Sequence, residues 1–315
     1  MPRTPSLVAS LLALSCLVVS GCTSAAVAPV AVRIPAANGA RVAPPIARDR
    51  AVVRAWVREM DAVRTVSLDA SGNEIGTESG IVLATKGGVA RVIKERVAVT
   101  TERCEEFDDQ GDPLPRDQWG PAGPGEGTRL TLLLPGNRKV VLADPEAMEG
   151  ASEIDHTADV VASVGPYLFV RQSTYSYACG AHGATSAEAA VYDVERGEEV
   201  QLGPTATEEI ELKKRASRAF VTDDDVDEPT PNDEVGITEA RVDWTGGRLG
   251  FAYQLTTSTC YACGDGAWSS YTKSVSLDAP SLPAALSGHR EVPAPVKKWL
   301  AAHPGATLGG FTSTP

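Results

Sequence analysis

The run Gly80-Ile81-Val82-Leu83-Ala84-Thr85-Lys86-Gly87-Gly88-Val89-Ala90-Arg91-Val92-Ile93-Lys94-Glu95-Arg96-Val97-Ala98-Val99 sets the fold class of this 315-residue chain. β-Branched side chains crowd both of its halves, and such residues fit a pleated, half-buried surface. Between the halves stands Gly87-Gly88, the residue type that takes the positive φ angles of a tight hairpin turn without steric cost. Two β-branched runs flanking a glycine pair predict an antiparallel hairpin.

The same grammar recurs along the chain. Leu130–Leu134 and Lys139–Leu142 flank Pro135-Gly136-Asn137, a second tight turn. Further strands are expected at Val160–Arg171, Ala189–Val194, Glu199–Leu202, Ile237–Trp244, Leu249–Leu255 and Trp268–Leu277. Three stretches read as helices. Asp49–Val63 puts Val52, Val53, Trp56, Val57 and Met60 at helical spacing. Thr205-Ala206-Thr207-Glu208 is a capping box, with acidic residues early and Lys213, Lys214, Arg215 and Arg218 late, as a helix dipole favours. Pro295 opens a turn carrying Val296, Trp299 and Leu300, closed by His303-Pro304-Gly305. The expected class is mainly β, built of antiparallel hairpins and sheets with a few short helices and stapled by disulfides.

The N-terminus has a different composition. Arg3 precedes an apolar run from Leu7 to Val19, shorter than the roughly 20 residues of a membrane-spanning helix but within the range of a secretory signal. It ends in Val19-Ser20-Gly21-Cys22. This segment resembles the bacterial lipobox. The resemblance implies cleavage after residue 21, lipid on the Cys22 thiol and acylation of the new amine, so that the membrane is a partner through lipid. One acyl chain binds a bilayer only marginally, and several chains are needed for a lasting anchor. Thr23 follows the cysteine in place of the aspartate that signals inner-membrane retention, so the outer membrane is the expected destination over the inner. Residues 22–48, rich in Ala, Val and Pro, lack periodicity and are expected to form a linker of about 30 Å by square-root scaling. Residues 49–315 form the β-rich extracytoplasmic domain.

The whole chain carries 29 basic and 41 acidic residues. Loss of the signal removes Arg3 alone, leaving 28 basic residues and a formal balance of −13. Such a charge argues against nucleic acid and anionic headgroups as partners and suits solubility, or cationic or divalent partners. Asp108-Asp109-Gln110-Gly111-Asp112 and Asp223–Glu228 gather carboxylates, but without the spacing of an EF-hand. Solvated loops are expected there.

Tyr177-Ala178-Cys179-Gly180 recurs as Tyr261-Ala262-Cys263-Gly264, each after a Ser/Thr-rich strand. Two related, neighbouring hairpins are expected. Gly180-Ala181-His182 and Asp193-Val194-Glu195-Arg196-Gly197-Glu198 resemble, over about 25 residues, an extracytoplasmic domain of lysozyme-responsive anti-sigma factors and cell-wall deacetylases. Cys179 replaces a glycine of that pattern, and the turn ends in Glu198 in place of lysine. The resemblance implies a β-rich envelope domain and carries no catalytic residue across.

Removal of Cys16 and lipidation of Cys22 leave Cys104, Cys179, Cys260 and Cys263, an even set in an oxidising compartment and hence disulfide candidates. If the two hairpins are neighbours, Cys179 should face Cys263, leaving Cys104 for Cys260. Two other chemistries fit the same residues. Cys260-Tyr261-Ala262-Cys263 is a C-x-x-C, but without the surrounding βαβ pattern of a thiol exchanger. Cys179, His182, Cys260 and Cys263 together offer a zinc set, the only cofactor the sequence suggests. Asp155-His156 pairs an acid with a base, though sequence neighbours in a strand point to opposite faces. No nucleophile elbow, His-Glu-x-x-His or phosphate-binding loop occurs. The expected function is a non-catalytic binding or interaction module for an envelope protein or glycan. The alternative is an envelope enzyme, a polymer hydrolase or one dependent on zinc or thiols.

Overall fold

The computed structural model describes residues 53–60, 62–108, 110–179, 183–220, 235–258 and 272–313. The signal segment, Cys22, the linker, His182, Cys260, Cys263 and the Asp223–Glu228 run lie outside the described residues. Described strands, in chain order, are β1 (Val53–Glu59), β2 (Ala62–Leu68), β3 (Glu74–Ser79), β4 (Val82–Thr85), β5 (Gly88–Ala98), β6 (Gly125–Leu133), β7 (Lys139–Ala143), β8 (Glu153–Val164), β9 (Tyr167–Tyr177), β10 (Ala184–Asp193) and β11 (Glu198–Glu199). Helix α1 (Ala206–Ala219) follows, then β12 (Gly236–Asp243), β13 (Gly250–Ser258), β14 (Thr272–Asp278), helix α2 (Ala294–Ala302) and β15 (Ala306–Ser313). The class is mainly β, as the residue patterns predict.

The hairpin around Gly87 is β4–β5, with Thr85 opposite Gly88. Pro135-Gly136-Asn137 turns β6 into β7, with Gly136 and Asn137 both at positive φ. Helix α1 starts at the capping box: Glu208 N–H donates to Thr205 Oγ1 at 3.3 Å, and Thr205 N–H donates to Glu208 Oε2 at 2.9 Å. Helix α2 starts beside Pro293 and buries Val296 and Trp299.

The expected helix over Asp49–Val63 is instead the hairpin β1–β2. The reason lies in burial on two sides. Val53, Ala55 and Val57 pack under α2 against Val296 and Trp299, while Trp56 points the other way into a separate core with Leu83, Leu132 and Val160. A strand covered on both faces loses its alternation, and its apolar residues then mimic helical spacing. The single strand expected at Val160–Arg171 is two, β8 and β9, parted at Gly165-Pro166. Strands β3 and β15 carry no expectation from the sequence.

Twelve strands share one sheet, in which β11-β10-β9-β8-β15-β1-β2-β3 form a continuous path; β12-β13-β14 make a second sheet. The large sheet forks at β8. One edge pairs antiparallel with β9 throughout. The other pairs in parallel with β6 at Ile154–His156 and then with β15 at Ser163–Val164. The branches meet again through side chains: Ala84 N–H donates to Thr312 Oγ1 at 2.8 Å, and Val82 N–H to Thr65 Oγ1 at 2.9 Å. Between them lies the Trp56 core. The small sheet and α1 pack Leu212, Phe220, Phe251 and Leu255 against Ala162, Val164 and Phe169 of β8 and β9.

Candidate functional site

On one face of β8, β9 and β10 the residue type changes along the strands. Near the β8–β9 turn this face carries Val160, Leu168 and Val170, all in the Trp56 core, with Tyr192 packed beside them. Further along the same faces come His156 on β8, Gln172 and Thr174 on β9, and Ser186 and Glu188 on β10, brought together by the register His156–Thr174–Ser186 and Gln172–Glu188. Side chains at every second position share a face, so the core runs directly into a polar platform.

The platform floors a cavity of about 480 Å³. Its wall is the end of β7 and the segment beyond it, including Val141, Leu142, Ala143, Asp144, Glu146 and Met148. This wall approaches because residue 127 is glycine: a Cβ there would come within 2.5 Å of Pro145 Cβ and 3.1 Å of His156 Cβ. Arg129 Nε donates to Asp144 Oδ1 at 2.8 Å, which holds the wall from outside and raises the Arg129 pKa above its ordinary value. Tyr192 Oη donates to the Leu142 carbonyl at 2.9 Å and ties β7 to β10.

The polar groups are chained. Gln172 Nε2 donates to Glu188 Oε2 at 2.8 Å, which places Gln172 Oε1 toward His156 Nε2 at 3.3 Å. In that arrangement a neutral imidazole carries its proton on Nε2 and leaves Nδ1 as an acceptor. His156 is 4% exposed, and its Nδ1 is one of the few buried side-chain atoms, among the described residues, with no hydrogen-bond partner. Asp155 is exposed on the opposite face, so Asp155-His156 is not an acid–base pair.

At the same end of the sheet, Cys104 and Cys179 form a disulfide with a Cα–Cα distance of 5.2 Å. This corrects the expected pairing of Cys179 with Cys263 and of Cys104 with Cys260. The two hairpins of the repeat belong to different sheets, and the segment after β5 crosses the end of β9. Glu102 N–H donates to the Ala151 carbonyl at 2.8 Å and Ser152 N–H to the Tyr177 carbonyl at 2.7 Å, which brings residue 104 beside residue 179. With Cys179 in this disulfide, the zinc set of Cys179, His182, Cys260 and Cys263 loses a thiolate. Among the described residues no group of three His, Cys, Asp or Glu side chains is placed to hold a metal ion. The Asp108 carboxylate is used locally, accepting from the Gln110 and Asp112 amides at 2.8 and 3.0 Å in an Asx turn. His303 stacks on Trp299 at 3.9 Å between ring centroids and contacts its carbonyl at the end of α2.

A second concavity, about 490 Å³, lies at the fork of β8 and is lined by Ile81, Val92, Leu130 and Val160 with Arg58, Lys94 and Asp159 at its margin. Among the described residues no helix is long and apolar enough to cross a membrane.

No family model and no curated relative matches the chain. Among solved structures it is similar to a DUF3298 family protein from Pseudomonas aeruginosa PAO1, with 16% identity and a TM-score of 0.30, over 64% of this chain and 95% of that one.

The sequence carries a signal for the platform in the residue pattern of these strands. On the core-facing positions of three successive strands, apolar side chains give way to His156, Gln172 with Thr174, and Ser186 with Glu188. Such a switch marks where a core ends and a cavity begins, but it is visible only once the register is known.

Proposed function

We propose that this chain is a lipid-anchored envelope protein, tethered through Cys22 at the outer membrane, whose β domain binds another envelope component without catalysing a reaction on it. The observation that carries the proposal is the polar platform in the β8–β10 face, set beneath a wall that leaves room for a ligand group of modest size. Binding sites of this kind are concave, preformed and furnished with a few fixed polar groups. Here those groups are fixed by each other: His156 is oriented by an amide, Gln172, and Gln172 by a carboxylate, Glu188. An imidazole working as a base would instead be oriented by a carboxylate or turned toward a nucleophile. The Arg129–Asp144 contact ties down the wall of the cavity, which favours recognition by lowering the ordering cost of binding.

Two variants test this. In membranes of the producing cell, the native chain is expected in the membrane fraction and Cys22→Ala in the soluble fraction. Ser186→Trp, which fills the platform from an exposed strand position, is expected to stay membrane-bound and to lose the component that the native chain retains through purification. Retention of that component by Ser186→Trp, or a membrane-bound Cys22→Ala, would contradict the proposal.

A further inference from the structure

We infer that the β8–β10 cavity receives an organic cation, an ammonium or guanidinium group on a short aliphatic arm; this rests on the cavity being the binding site proposed above. Three observations converge on that chemistry. First, Glu146 and Glu188 line the cavity together with Asp144, which is already paired with Arg129, and no lysine or arginine lines it. An anion entering would meet like charge in a partly desolvated space, while a cation meets complementary charge.

Second, the platform offers acceptors. Gln172 spends its amide in both directions, toward His156 and toward Glu188. That leaves carboxylate oxygens and the unpartnered Nδ1 of His156, whose side chain is almost wholly buried in the cavity floor. A buried acceptor without a partner costs about 1–3 kcal/mol. Ammonium and guanidinium groups carry donors only, so every hydrogen bond they make here is of the missing kind.

Third, the wall carries an apolar part beside its carboxylates. Val141 and Met148 remain 54% and 45% exposed beside Leu142 and Ala143. Methylene groups next to the charge would cover them, and Met adapts its shape to such contacts. The carboxylates do not close on a common point, since among the described residues no three ligating side chains meet as a metal site requires. Spread acceptors with an apolar flank suit an extended organic cation better than a divalent ion.

The test uses the mature, lipidated chain in neutral detergent micelles and two probes, Nα-acetyl-lysine amide and Nα-acetyl-norleucine amide, which differ in the ε-ammonium group. Titration calorimetry is expected to show saturable binding of the lysine probe, with the norleucine probe at least about tenfold weaker. Glu188→Gln and Glu146→Gln should each weaken the lysine probe by about three- to tenfold, while Glu211→Gln on the exposed face of α1 leaves it unchanged. Thermal unfolding of each variant checks the fold independently. Equal binding of both probes, no binding of either, or a loss as large in Glu211→Gln as in the cavity variants would overturn the inference. Those outcomes are separable from failure of the binding role itself, which is read from retention of the native component by Ser186→Trp.

Discussion

Arg58 donates from Nη2 to the carbonyl of Val160 at 2.6 Å, in the stretch where β8 has left β6 and has not yet met β15. Its Nη1 reaches the Val161 carbonyl at 3.3 Å, and the guanidinium lies 4.8 Å from the centre of the Trp56 ring. A strand edge shared by two parallel partners must leave backbone groups unpaired at the fork, and buried backbone groups need partners. Arginine's planar set of donors supplies them from a neighbouring strand.

Removal of that guanidinium should therefore cost stability. Arg58→Met is expected to lower the unfolding free energy by about 2 kcal/mol, as for a buried acceptor left unpaired. Arg58→Lys should recover part of the loss. Urea titration checks both, and a change in Arg58→Met within about 0.5 kcal/mol, typical of an ordinary surface site, would show that the fork does not depend on this residue.

The second branch of the fork depends on two glycines. A Cβ at Gly310 would collide with Ser163 of β8, and one at Gly309 with the ring of Trp56, whose Nε1 donates to Ser163 Oγ at 2.8 Å. Gly310→Ala and Gly309→Ala are each expected to destabilise by about 2–3 kcal/mol through overpacking. Gly305→Ala, which meets nothing within 4 Å, serves as the control. Equal midpoints in denaturant for all three would refute the close approach of β15 to β8.

How far the sequence carries follows from these same places. Hairpins β4–β5 and β6–β7 were legible because local turn chemistry determines them: Gly87 and Pro135-Gly136-Asn137 need no distant partner. Helix α1 was legible from Thr205 and Glu208. Strand β1 was misread because Val53, Ala55 and Val57 serve one core and Trp56 another, which is a fact of tertiary packing. Strand β15 was invisible because Gly309-Gly310 reads as a loop until Trp56 and Ser163 are seen to require it. The Cys104–Cys179 bond could not be chosen among three pairings, since it depends on where the segment after β5 crosses the sheet. His156 drew notice through Asp155, a neighbour on the wrong face. Its actual companions are 16 and 32 residues away, Gln172 directly and Glu188 through it.

The disulfide closes 75 residues of chain. By the chain-entropy relation its loss should cost about 4 kcal/mol, less any structure kept in the unfolded chain. The double variant Cys104→Ser, Cys179→Ser is expected to unfold at correspondingly lower denaturant. Its amides around Glu102 and Ser152 should exchange faster than those of β1. Peptide mapping of the oxidised native chain is expected to yield the Cys104–Cys179 pair, and a Cys179–Cys263 peptide would contradict the structure.

Two half-buried titrating groups place acid sensitivity in separate windows. Burial of Glu78 pushes its pKa up, but Arg91 and Arg54 together outweigh this and leave it below the ordinary value of a glutamate. A carboxyl held low in the folded state stabilises fully above its unfolded value, and that contribution is lost as pH falls through the folded one. Burial also lowers the pKa of His289 below 6.5, where the β8–β9 turn at Gly165 packs on its ring. There the unfolded chain binds the proton more readily, so stability declines as pH drops below about 6.5. Stability measured against pH should fall first in the His289 window and again below about 4.5. His289→Gln should remove the first decline and Glu78→Gln reduce the second, to which the lowered carboxyls of Glu59, Asp69, Glu208 and Glu291 also contribute. A decline at higher pH that persists in His289→Gln would reassign it to another group.

The remaining measurement is made in membranes of the producing cell, by placing a photo-crosslinking amino acid at Thr174 on the platform or at Thr77, exposed on β3, in the full chain. Irradiation is expected to give a discrete adduct from Thr174, none from Thr77, and none from Thr174 when Cys22→Ala releases the chain from the membrane. Equal labelling from both positions, or no adduct from Thr174 in a membrane-bound chain, would contradict a lipid-anchored protein that binds through the β8–β10 face.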